Sequence, residues 1–178
     1  MVIQTDADGT IYHGNLLVSL GWAYLFYLLK KGKYLELIER LLQLPLFYFV
    51  SFIPKFTYTA FIPFKDCPLS LIDKIDNKLN KKWLNQISKL NPKKIIIITR
   101  QEKAVLLGFI SRNKILKKFN FEIISNEAQI KNKKFTGKVN IRITPTSKYK
   151  FVKKDLLFIG DFHDYMRYGC KNRNFILV

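Results

Sequence analysis

The chain has 178 residues, 48% of them hydrophobic, and a formal net charge of +18 from 31 Lys+Arg against 13 Asp+Glu. That length suits one domain, or one core carrying an insertion, and the apolar share excludes a disordered chain. The charge admits a nucleic-acid or membrane-surface partner, but no Arg-rich stripe or nucleic-acid fingerprint accompanies it, so most lysines read as solvated surface and no specific nucleic-acid partner is expected.

Met1 to Ile3 is a short apolar start that reads as a strand, and Asp6-Ala7-Asp8-Gly9-Thr10 follows it. Residues i and i+2 of a strand face the same side, so Asp6 and Asp8 are placed to face one spot at the strand's C-terminal end, where Gly9 lets the backbone turn. Open α/β sheets bind their ligands at that edge. Two adjacent carboxylates repel each other, and a hard cation such as Mg²⁺, which uses one or two carboxylates beside phosphate oxygens, is the natural counter-charge. The plainer alternative is an Asp-Gly turn closing a hairpin.

Residues 16–29 read as a helix that Lys30-Lys31-Gly32-Lys33 breaks, and residues 34–44 as a second helix with Leu35, Leu37, Ile38, Leu41 and Leu42 near helical spacing. Pro45 marks a kink or a boundary, and residues 46–53 continue apolar up to Pro54. A membrane span needs about 20 mostly apolar residues, and charges or prolines interrupt every run here. A helical hairpin packed helix to helix is expected, its aromatics allowing a shallow peripheral membrane contact. Pro63 and Pro68 lie in an irregular stretch, and residues 69–90 read as one amphipathic helix stopped by Asn91-Pro92.

Ile95-Ile96-Ile97-Ile98 is a strand buried on both faces, the mark of a parallel sheet, and it ends at Thr99. Residues 101–113 read as a helix, 121–125 as a short strand, and 127–144 as a hairpin turning near Asn132. Residues 156–161 repeat the opening theme, an apolar strand delivering Asp161. Residues 165–169 look helical, and 175–178 form a last strand. Cys67 and Cys170 form no CxxC pair and read as free thiols in a reducing compartment. The start of the chain lacks the charged-then-apolar order of a leader, so a cytoplasmic protein is expected.

Three strands thus end in polar residues: Asp6 with Asp8, Thr99, and Asp161 with Asp164. With one Lys added, this set resembles the haloacid-dehalogenase-like superfamily of phosphotransferases. The first motif, Asp-x-Asp-Gly-Thr after an apolar strand, stands at Asp6 to Thr10; the second at Ile95 to Thr99; the fourth, Gly-Asp then another Asp, at Gly160 to Asp164. The order Thr136-Gly137 and then Lys148 looks like the phosphoserine-phosphatase branch. Lys150 competes for the lysine role, and the Thr-Gly spacing with Val152 beyond favours Lys148. Two features depart from the pattern. Asp161 and Asp164 are three apart where four or more is usual, and little room remains for a helix before residue 156.

The resemblance implies an α/β, Rossmann-like three-layer sandwich with a parallel sheet. Its core would span residues 1–11 and 80–178, with a helical cap inserted at 12–79. It further implies a Mg²⁺-dependent phosphatase acting on a small phosphorylated substrate. Asp6 would be the nucleophile that forms an aspartyl-phosphate, and Asp8 the general acid and base. Thr99 and Lys148 would hold phosphoryl oxygens, and Asp6, Asp8, Asp161 and Asp164 would surround the metal. Two other readings stand beside it: a phosphatase of a lipid-linked phosphate at the membrane surface, and a non-catalytic binding protein with the same fold.

Overall fold

The computed structural model describes residues 1–50, 61–144, 147–169 and 174–178, residues 46–50 by backbone alone. Six strands form one sheet in the order β4-β3-β2-β1-β5-β6. They are β1 (Val2–Thr5), β2 (Lys94–Glu102), β3 (Phe121–Lys131), β4 (Lys134–Asn140), β5 (Leu157–Gly160) and β6 (Phe175–Leu177). All neighbours pair in parallel except β3 and β4, which form an antiparallel hairpin. The first strand is therefore central, and its C-terminal end opens where the chain order reverses between β2 and β5, the edge at which such sheets place ligands.

The isoleucine run shows why the sheet is buried on both sides. Ile95 and Ile97 enter one apolar cluster with Ile3, Trp83, Ile87, Val105 and Leu106, while Ile96 and Ile98 enter a second with Phe158 and Ile143. The first cluster is covered by α1 (Leu16–Lys30), α3 (Lys81–Leu90) and α4 (Lys103–Arg112). The second face is closed by Phe151 and Val152, at the end of a 3₁₀ turn over Lys148–Phe151, where a full helix is the usual cover. Gln4 pins that segment to the sheet, donating to the Phe151 carbonyl (3.1 Å) and accepting from Lys153 N (2.9 Å).

Four expectations change. The helix at 69–90 divides into a 3₁₀ turn, Leu69–Lys74, and α3. Between them the chain is drawn to the loop after β1: His13 N donates to Lys78 O (2.9 Å), Asn77 Nδ2 to His13 O (2.8 Å), and Tyr12 bridges Leu79. The second helix, α2 (Tyr34–Val50), runs through Pro45. That residue is solvent-exposed, so water can take the carbonyl left without its helical donor. β2 continues past Thr99 to Glu102, with a register shift after Ile98, and Glu102 itself caps α4 by accepting from Val105 N (2.8 Å). Finally, the short strand and the hairpin arm are one element, β3, and the hairpin turns at Asn132 and Lys133, both at positive φ (51° and 58°). The expectations for residues 51–54 and for Cys170 lie outside the described residues, whereas Cys67 is a free, buried thiol.

Candidate active site

β1 ends at Thr5, whose hydroxyl accepts from Trp83 Nε1 (3.1 Å) and donates to Asp6 O (3.0 Å). Asp6 N donates to Ile159 O on β5 (3.2 Å), so the sheet ladder holds the Asp6 backbone. Register then sets the neighbours. Thr5 lies level with Ile97 on β2 and with Ile159 on β5. Two residues further on, Thr99 and Asp161 flank the loop that carries Asp6 and Asp8.

Lys148 joins the most distant parts of the sequence. Its Nζ lies 2.9 Å from Asp6 Oδ1 and 2.8 Å from Asp164 Oδ1, and all three side chains are buried. A buried ammonium between two carboxylates satisfies charges that would each be costly alone. Burial works against the Lys148 charge, but Asp6 and Asp164 outweigh it and hold the ammonium protonated well above the ordinary lysine range. One cation cannot balance two desolvated carboxylates. Burial and the nearby Asp6 charge push Asp164 from 3.8 to about 7, against the pull of Lys148. Lys150, the competing lysine, is exposed and in no ion pair among the described residues.

The unusual three-residue spacing has a local explanation. Asp161 caps α5 (Phe162–Arg167), its Oδ1 accepting from Asp164 N (3.0 Å), which places Asp164 in the first turn and turns it back toward Lys148. Gly160 makes room: a Cβ there would stand 2.8 Å from Asp164 Cβ. The other oxygen of Asp164 is buried without a hydrogen bond.

Asp8 is held by two side chains that the sequence did not single out. Tyr12 Oη donates to its Oδ1 (2.6 Å) and Asn15 Nδ2 to its Oδ2 (3.0 Å), while Asn15 Oδ1 caps α1 at Leu17 N and Val18 N. Burial, then the Asp6 charge, raises Asp8 from 3.8 to about 7. Arg100 opposes that shift. It sits one residue past Thr99, exposed, with no ion pair among the described residues. Thr99 is buried, and its Oγ1 accepts from Gln101 N (3.2 Å), which leaves the hydroxyl proton for another acceptor. The loop itself is fixed by Asn80, whose Nδ2 donates to Gly9 O (3.3 Å). A tyrosine four residues and an asparagine seven residues after Asp8 are a usable signal only once the turn between them is known.

Among the described residues no three His, Cys, Asp or Glu side chains form a ready-made metal cluster. The donors at hand are all oxygens: the Asp6 and Asp161 carboxylates and the backbone carbonyls of the loop. Gly9, at φ +74°, brings that backbone so close to Asp161 that a Cβ would lie 2.8 Å from Oδ2. Two carboxylates against a carbonyl-bearing loop fit a hard divalent cation such as Mg²⁺. Asp164 adjoins that set: its backbone N–H donates to Asp161 Oδ1 (3.0 Å), while its own Oδ1 meets Lys148 (2.8 Å).

No protein-family model and no curated protein matches the sequence. Solved structures do. A substrate-bound phosphoserine phosphatase superposes with a TM-score of 0.61 at 12% identity, over 99% of this chain and 84% of that one. A phospho-aspartyl intermediate analogue of phosphoserine phosphatase gives 0.57 at 13% identity, over 99% and 85%. A HAD family hydrolase from Salmonella enterica serovar Typhi gives 0.55 at 14% identity, over 90% of this chain and 55% of that one. The chain therefore has the haloacid-dehalogenase-like fold in the form that phosphoserine phosphatases adopt.

Proposed function

We propose that the protein is a phosphomonoester hydrolase that works through an aspartyl-phosphate on Asp6. The observation that carries this reading is Lys148 Nζ bridging Asp6 and Asp164 at 2.9 and 2.8 Å, with Asp8 two residues beyond Asp6. A scaffold gains nothing from burying two carboxylates around one ammonium, and this counts against the non-catalytic alternative. The likeness to a phospho-aspartyl analogue of phosphoserine phosphatase supports the same route.

Attack by an Asp6 carboxylate oxygen forms the phosphorus–oxygen bond while the bond to the leaving oxygen breaks. Asp8, half protonated near pH 7, gives its proton to that leaving oxygen. The carboxylate so formed then takes a proton from water, whose oxygen attacks phosphorus, and cleavage of the acyl phosphate regenerates Asp6 and releases phosphate. Tyr12 and Asn15 keep Asp8 aimed through both steps. Lys148 and the Thr99 hydroxyl serve as donors to phosphoryl oxygens. Asp6, Asp161 and the Asp8 carbonyl would hold Mg²⁺, which when bound neutralises the charge of the phosphoryl group. Residues 12–79 act as the cap that limits water and selects substrate. The exposed Arg100 suits a substrate carrying negative charge near its phosphate. The narrower reading, a lipid-linked phosphate, draws on α1, whose exposed apolar residues begin at Val18, three positions from Asn15.

A panel of phosphorylated metabolites and short-chain lipid phosphates, with and without Mg²⁺, tests the proposal. Mg²⁺-dependent phosphate release from at least one member is expected. Asp161→Asn should raise the Mg²⁺ concentration needed for half-maximal rate. No release from any member, with or without the metal, would favour the non-catalytic reading.

A further inference from the structure

The helix α1 has two apolar faces, and among the described residues one is packed in the core while the other is exposed. Leu16, Leu20, Tyr24 and Leu28 are buried in the core, whereas Val18, Trp22, Phe26 and Leu29 face solvent, with Trp22 at 57% and Phe26 at 58% exposure. At 100° per residue these four span an arc of about 80°, a continuous stripe. On α2, Leu35 (86% exposed), Ile38 and Leu42 fall within about 60° of one another, with Tyr34 and Leu41 exposed beside them. The two helices pack as neighbours. Scattered exposed apolar residues are ordinary, but contiguous rows on adjacent helices mark a site of association.

The turn between the helices is basic. Lys30 and Lys31 are exposed and in no ion pair among the described residues, while Lys33 pairs with Glu36 at 2.7 Å. The whole chain carries +18. That charge repels a second copy of the same chain and attracts an anionic surface. Aromatic rings with lysine stems at their margin are what the headgroup–acyl boundary of a bilayer accepts. Among the described residues no helix is long and apolar enough to cross a membrane, so the contact would lie in the plane of the interface. We propose that the α1–α2 hairpin docks the protein on an anionic lipid bilayer, with Trp22, Phe26 and Leu35 entering the interface and Lys30 and Lys31 meeting the headgroups. The proposal does not rest on the phosphatase reading.

The two tryptophans make the test direct, because Trp22 is exposed and Trp83 is fully buried. The full chain is mixed with vesicles of phosphatidylcholine alone or with added phosphatidylglycerol, and flotation and tryptophan emission are read. Flotation with the anionic vesicles is expected, at least about tenfold above the neutral ones, with a blue shift in emission. Trp22→Phe should still float and lose the shift. Phe26→Glu combined with Leu35→Glu should lower binding about tenfold or more, while Trp83 emission and the urea midpoint stay as in wild type, showing that the fold is intact. The proposal is overturned by absence of flotation with anionic vesicles, by full binding of the double variant, or by a blue shift that survives Trp22→Phe. It is equally overturned by a stable dimer in light scattering that shields Trp22 and excludes vesicles.

Discussion

Asp8 owes its chemistry to its neighbours. A carboxyl near 3.8 would be a poor proton donor at neutral pH; raised to about 7 it is present in both forms, as the proposed hydrolysis requires of its acid and base. The same shift links folding to pH. The folded pKa lies above the unfolded one, so the stability tied to protonated Asp8 is full below about pH 4 and is lost as pH rises through about 7. Asp164, also raised by burial, acts in the same direction. The metal-free protein should therefore lose stability between pH 4 and 7, Asp8 contributing at most on the order of 4 kcal/mol. Asp8→Asn should flatten that slope in urea titrations across the window, and an unchanged slope would contradict the assignment. Lys148→Met makes the complementary case. It leaves Asp6 and Asp164 buried without their cation, at a cost of about 3–5 kcal/mol near neutral pH, and a midpoint within experimental error of wild type would refute the buried triad.

At the scale of elements, the site depends on close approaches that only two glycines permit. Gly9 turns the loop at φ +74° beside Asp161, and Gly160 lets Asp164 lie against the end of β5. Gly160→Ala would set a Cβ 2.8 Å from Asp164 Cβ and 2.9 Å from Phe158 Cε1. It should cost about 1–3 kcal/mol in unfolding experiments and lower the turnover of any substrate found, because Asp164 must tilt off Lys148. Full stability and full activity in that variant would show that the contact is slack. Elements were legible where their apolar pattern was local. The isoleucine run announced a strand buried on both faces, and the strands delivering Asp6 and Asp161 lie where their patterns put them. The divided helix at 69–90 was not legible. Its periodicity is continuous, and only the hydrogen bonds drawn from the His13 loop pull the middle straight. The end of β2 was not legible either: the apolar run stops at Thr99, but the strand shifts register after Ile98 and runs on to Glu102, whose side chain caps α4.

For the molecule as a whole, the parallel sheet converts sequence distance into proximity. Asp6, Lys148 and Asp164 could be picked out because each stands in a motif whose order along the chain is itself informative. Tyr12, Asn15 and Arg100 could not, because their roles arise from a turn and from strand register rather than from spacing. The proposed hydrolysis turns on phosphorylation of Asp6. Asp8→Asn should retain the nucleophile while slowing the second step about 10²–10⁴-fold, so that the intermediate accumulates. The most direct measurement incubates Asp8→Asn and the double variant Asp6→Asn, Asp8→Asn with an activated phosphomonoester at equal Mg²⁺, then maps hydroxylamine-sensitive phosphate by peptide mass spectrometry. Phosphate on Asp6 is expected in the first protein and none in the second. Phosphate at another residue of Asp8→Asn, or an equal amount of it on the double variant, would overturn the mechanism.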